Sequence, residues 1–139
     1  MRIPGKNSVG APDALRPGMN PQAIELQQRL LQYSTTIARL CDALPAKLSA
    51  HRIASQLIDS SSSSYANYRS ACRGRSRAEF IAKLGIVVEE LDESEGWLIM
   101  LRTLGHIQEP VSAPLIAETN ELLSIFNRSI LTAKTALQR

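Results

Sequence analysis

Cysteine, histidine and aromatic residues are scarce in this chain, and each shortage excludes a class of chemistry. Of 139 residues, two are cysteine, two are histidine and 4% are aromatic. Cys41 and Cys72 fall near opposite ends of the expected helices, roughly 30 Å apart at about 1.5 Å of rise per residue, so they cannot bridge within one subunit. His51 and His106 show no CxxC or HxxxH spacing, which argues against zinc. No metal and no other cofactor is expected. Glycine and proline are sparse beyond the first two dozen residues, without the regular turn signals of a β-sandwich. No run approaches the roughly 20 apolar residues of a membrane span. The segment from Met1 to Asn20 lacks the apolar stretch of a secretory signal, so a cytoplasmic protein without membrane attachment is expected.

What remains is an all-α pattern. Residues 1–19 carry Pro4, Pro12 and Pro17 with Gly5, Gly10 and Gly18, and read as a disordered basic arm open to ordering on a partner. The bundle proper is expected over 20–139. Helix 1, about 21–44, starts at an Asn20 cap followed by Pro21 and ends before Pro45. Leu26, Leu30, Tyr33, Ile37, Leu40 and Leu44 make one stripe along it.

Helix 2, about 49–72, has a small, polar middle. Its serine run, Ser60 to Ser64, stays in phase with the stripe of Ala50, Ile53, Leu57 and Ala71, which favours helix over linker. Ser76 and Glu79 form a capping box that opens helix 3, about 77–104, with Gly105 as its stop. Phe80, Leu84, Val87, Leu91, Ser94, Leu98 and Leu101 form its inner face. A loop at 106–113 then leads to helix 4, about 113–138, which is expected to bury Ile116, Thr119, Leu123, Phe126, Ile130, Ala133 and Leu137. Short connections between long helices predict an antiparallel up-down-up-down four-helix bundle.

Two surface features stand out. Trp97 to Leu101 are consecutive apolar residues and point all around helix 3. With Ile86 and Val88 nearby, this marks Ile86, Val88, Trp97, Ile99 and Met100 as a candidate subunit interface; a deeply sunk helix in a monomer is the alternative. Charge is also segregated. The pole shared by the start of helix 1, the 2–3 turn, the end of helix 4 and the arm gathers twelve of the sixteen Lys and Arg residues and three of the thirteen acids. Arg69, Arg73, Arg75 and Arg77, with Lys83, are its focus and are candidate contacts to a phosphate backbone of RNA or DNA. A solvated turn, or one pairing with acids of another subunit, is the plainer reading.

The acidic run Glu89, Glu90, Asp92, Glu93 and Glu95 lacks the Glu-x-x-His pairs of di-iron bundles. Both histidines fall at the pole opposite Cys72, leaving only Cys41 within reach of a base. No catalytic constellation emerges, and the chain is not expected to be an enzyme.

The stretch Ala66-Asn67-Tyr68-Arg69-Ser70-Ala71-Cys72-Arg73-Gly74-Arg75-Ser76-Arg77-Ala78-Glu79-Phe80-Ile81-Ala82-Lys83-Leu84-Gly85-Ile86 resembles the bacterial four-helix-bundle proteins encoded by intervening sequences of large-subunit ribosomal RNA genes. The likeness continues through Glu90, Asp92, Glu93, Trp97 and Leu98. Helices 1 and 4 share it only by pattern, and the arm not at all. The resemblance implies relatives that assemble as rings, often pentamers. It extends distantly to the accessory variability protein of diversity-generating retroelements, a basic pentamer that binds nucleic acid and a reverse transcriptase. It carries no catalytic residues. Ser64, Tyr65 and Gly96 depart from the pattern, standing where relatives usually have valine, glycine and an aromatic. The resulting expectation is a homo-oligomeric bundle that presents its arginine-rich pole to RNA or DNA, with a nucleic-acid enzyme such as a reverse transcriptase as a further partner. The alternative is a scaffold that docks an acidic protein without nucleic acid.

Overall fold

The computed structural model describes residues 20–138, so the expected arm at 1–19 lies outside the described residues. Four helices follow in order: α1 Pro21–Asp42, α2 Leu48–Cys72, α3 Arg77–Thr103 and α4 Glu109–Leu137. They form an all-α, antiparallel four-helix bundle, with no strand among the described residues. No helix among these residues is long and apolar enough to cross a membrane.

The ends of the helices follow from local chemistry. Asn20 Oδ1 accepts the Ala23 N–H at 2.8 Å, and Pro21 occupies the first turn, where its missing N–H removes no helical bond. Helix α1 stops at Asp42, two residues before the expected end, because the Ala43 and Leu44 amides bond back to Leu40 and Cys41 ahead of Pro45. Ser76 Oγ accepts the Glu79 N–H at 3.1 Å and starts α3. The Glu79 carboxylate completes the cap one residue early, taking the Arg75 N–H at 3.0 Å. At the far end Gly105 has φ of 78°, and the His106 and Gly105 amides bond to Leu101 and Arg102 carbonyls, each at 2.9 Å. This is a Schellman ending, and it requires the left-handed conformation that glycine adopts without strain.

Helix α4 corrects the expectation of a long loop at 106–113 and a start near residue 113. It begins at Glu109, where Pro110 fits the first turn and the Val111 and Ser112 amides both bond to the Gln108 carbonyl at 3.0 Å. Pro114 therefore sits inside the helix. It sacrifices one bond to a carbonyl near the start, close to the turn in which proline is best tolerated.

The expected stripes on α1, α2 and α3 supply most of the core, with Leu30, Ile37, Leu57, Leu84, Val87, Leu91, Leu98 and Leu101 buried. On α1, Cys41 takes the buried position near the end, while Leu40 and Leu44 only flank the core. On α4 the phase needs correction. Leu122 is fully buried where Leu123 was expected, and Leu137 is 54% exposed.

The serine run is helical throughout, and its hydroxyls explain why. Ser60, Ser62 and Ser64 each donate to a carbonyl three residues back, at 3.3, 3.2 and 2.6 Å, so they are satisfied without leaving the helix. Three of these serines, Ser60, Ser61 and Ser64, face inward and are buried. Ser60 Oγ meets Ser94 Oγ of α3 at 2.7 Å, and Ser61 offers its carbonyl to Ser34 Oγ of α1 at 2.8 Å. Tyr33 of α1 meets Thr119 of α4 at 2.6 Å. A layer of hydroxyls thus crosses the core and draws on all four helices.

Burial drives the Tyr33 phenol up from its ordinary 10.0 to about 12, against the opposing hydrogen bonds from Thr119 and Ser94. Stability from keeping this phenol neutral is complete below pH 10.0. It is lost as pH rises toward about 12, because the unfolded chain ionises first. Tyr33→Phe should cost about 1 kcal/mol near neutral pH, since Thr119 keeps its bond to the Leu115 carbonyl at 2.7 Å. The gap between wild type and variant should then narrow by about 1 kcal/mol between pH 8 and pH 11. Urea unfolding at the two pH values checks this.

Candidate nucleic-acid interface

The antiparallel order brings the start of α1, the α2–α3 turn, the start of α3 and the end of α4 to one pole. Two helix starts and two helix ends share it, so their dipoles largely offset and side-chain charge decides its sign.

The α2–α3 turn is tight. Arg73 caps α2, and the Gly74 amide returns to the Ala71 carbonyl at 3.0 Å. A β-carbon at Gly74 would stand 3.1 Å from that same Ala71 carbonyl oxygen, closer than ordinary packing allows. The small residue is therefore favoured by close approach of the backbone.

The structure separates the arginines by role. Arg69 is half-buried along α2, donating to the Tyr65 hydroxyl at 3.1 Å with its guanidinium 5.8 Å from the Tyr65 ring centre. Arg73, Arg75 and Arg77 are exposed, and Lys83 is half-buried further along α3. Arg29, counted with the pole by its position in sequence, is committed elsewhere. Its guanidinium donates to Glu118 of α4, with Nε to Oε2 at 3.2 Å, and reaches Glu121 at 3.6 Å. The hydrogen bond with Glu118 raises the Arg29 pKa further.

Of the five basic residues singled out in the sequence, only Arg75 and Arg77 line a common cleft. That cleft has a volume of about 430 Å³ and runs between the first turn of α1 and the α2–α3 turn, over Tyr68 and Phe80. A second cleft of about 450 Å³ continues between the start of α3 and the second half of α4, with Gln22 of α1 also lining it, to Arg128. The two share Gln22, Arg77, Phe80 and Ser129. Among the described residues neither is lined by an aspartate or glutamate. Gln22, Phe80 and Ser129 carry no motif. Only the placement of the end of α4 beside the start of α1 makes them neighbours, so the topology was the signal that could have found them.

The acidic run on α3 lies away from this pole. Desolvation raises the Glu90 carboxyl against a hydrogen bond from Ser63, and Glu93, Glu89 and Asp59 add like charge. On the same helix Ile86, Ile99 and Met100 are exposed, whereas Val88 and Trp97 are partly buried against the core. At 3.6 residues per turn Ile86 and Met100 share a face, and Ile99 points about 100° away from Met100. The Trp97 indole N–H is buried without an acceptor among the described residues.

At the opposite pole Ser49 Oγ and His106 Nε2 meet at 2.8 Å, a contact that sequence reading missed. It ties the start of α2 to the α3–α4 turn. No carboxylate among the described residues orients the ring, and neither side chain lines a cleft with the other. No three His, Cys, Asp or Glu side chains gather as metal ligands among the described residues.

The family model of the 23S rRNA-intervening sequence protein matches residues 22–128. Among solved structures, the chain is similar to a protein of unknown function from the S23 ribosomal protein family of Bacteroides thetaiotaomicron VPI-5482. The two are 27% identical with a TM-score of 0.71, over 76% of this chain and 97% of that one. No curated protein matches.

Gly74→Ala should lower stability by about 1 kcal/mol because the strain falls on backbone. Changing the exposed Arg73 to Ala should stay within about 0.5 kcal/mol. Thermal melts of the two variants side by side test whether the turn is held by its glycine and cap rather than by its arginines.

Proposed function

Because the chain belongs to the 23S rRNA-intervening sequence protein family, we propose that it works by binding and self-association, as a homo-oligomeric bundle whose arginine-rich pole contacts RNA or DNA. That family is one of rRNA intervening-sequence proteins rather than an enzyme family. The observation that carries the proposal is the set of Arg73, Arg75 and Arg77. All three are exposed, and none forms an ion pair with a described acid. Guanidinium groups held this way on a rigid turn suit phosphate oxygens.

Self-association is supported by α3. Ile86 and Met100 are 38% and 45% exposed on one face of the helix, with Leu104 a turn beyond at 49%. A ring, pentameric as the resemblance implies, would repeat the basic pole on one face and so steepen its attraction for phosphates. A reverse transcriptase or another nucleic-acid enzyme fits as a further partner of such an assembly. In the second reading, the same exposed guanidinium groups dock an acidic protein instead.

Light scattering should give a multiple of the 15.3 kDa chain mass, and Ile86→Asp with Met100→Asp should return it toward the monomer. Mixed RNA and DNA fragments should shift the mass at low salt and lose that effect as salt rises. Replacing Arg73, Arg75 and Arg77 together with glutamine should lower the salt slope of binding by about three where each contacts one phosphate. An unchanged slope sinks the nucleic-acid reading. An acidic protein retained in excess tRNA would point to the scaffold.

A further inference from the structure

Resting on the reading of the pole as a nucleic-acid surface, we infer that the joined cleft beneath it seats one unpaired nucleotide, so that the protein prefers single strands to duplex. The size of the cleft is the first reason. A bound backbone phosphate needs only the exposed arginines, whereas about 430 Å³ falls within the roughly 300 to 1,000 Å³ of small-molecule sites.

Its chemistry is graded from rim to wall. Arg75, Arg77 and Arg128 supply cations where a phosphate would enter. The half-buried Phe80 supplies an aromatic surface common to both clefts, and single-strand-binding proteins use such surfaces as stacking platforms. Gln22 and Ser129 add a neutral amide and a hydroxyl that can donate to or accept from a base edge.

The absence of any acid among the described residues of both linings is the second reason. Among the described residues no Asp or Glu lines either cleft, and Glu79, beside the turn, has its carboxylate on the Arg75 backbone amide. A base in a duplex is already stacked and hydrogen-bonded, and it stays outside; only the rim arginines can reach duplex phosphates. A single strand engages the same rim and also inserts a base. Discrimination therefore comes from the wall, while attraction common to both comes from the rim.

The test uses the whole chain and three small probes: adenosine 5′-monophosphate, ribose 5-phosphate and inorganic phosphate, titrated while amide NMR signals are followed. The mononucleotide should shift the Gln22, Phe80 and Ser129 amides and bind about tenfold more tightly than ribose 5-phosphate, the share expected of base stacking. Equal binding of the three probes, or shifts confined to the arginines, overturns the seat. A 12-nucleotide RNA strand should likewise bind about tenfold more tightly than its duplex, and Phe80→Leu, confirmed folded by its melt, should reduce that preference more than it reduces duplex affinity. If strand and duplex bind equally and both fail with Arg73, Arg75 and Arg77 changed to glutamine, the seat is wrong and the basic pole stands. If neither binds wild type, the reading of the pole falls first.

Discussion

The hydroxyl layer across the middle of the core is the constraint on which the other contacts depend. Tyr33 with Thr119, and Ser60 with Ser94, place one hydroxyl from each helix in a region closed to water. Ser60, Ser94 and Thr119 can each fall back on a carbonyl of their own helix, so the buried Tyr33 phenol is the donor that most needs its cross-helix partner, and a buried donor left without one costs about 1–3 kcal/mol. Sliding one helix by a residue would break a pair and turn polar groups into leucine surroundings. Leucines at the other levels pack well in several registers, whereas the Tyr33–Thr119 pair favours one. Packing supplies most of the stability, and the polar pairs set the alignment.

Side-chain size at this level also shapes the outside. Serines on α2 and α3 let these two helices pack most closely of all, whereas α1 and α4 are linked mainly by long side chains, Tyr33 to Thr119 and Arg29 to Glu118. The wider α1–α4 seam opens at the pole into the cleft between Gln22, Phe80 and Ser129. A core made of large residues at Ser60 and Ser94 would push α2 from α3 and redistribute that gap.

Much of this was legible in the sequence because each signal was local. Asn20-Pro21, Ser76 with Glu79, and Gly105 act within one turn, and the α3 stripe repeats without interruption. The start of α4 was misread because two prolines four residues apart each suit a first turn, and only the backbone bonds to Gln108 decide between them. The pairing partners of the inward serines were not legible either. A hydroxyl can bond to its own helix or across the core, and sequence does not say which neighbour stands opposite. The basic pole could be inferred from topology, but the loss of Arg29 to Glu118 depends on residues 89 positions apart.

That division among the arginines bears on function. Arg29 closes a seam and Arg69 lies along Tyr65, so both have structural work. The turn that carries Arg73, Arg75 and Arg77 is held by other means: the close approach at Gly74, the Ser76 hydroxyl and the Glu79 carboxylate on the Arg75 backbone amide. None of these contacts uses a guanidinium group. Like charges set close together repel, and folding gains nothing from gathering three of them on a turn that needs only its backbone and caps. An anionic partner removes that repulsion, and phosphate, with oxygens matched to the guanidinium fork, removes it most completely.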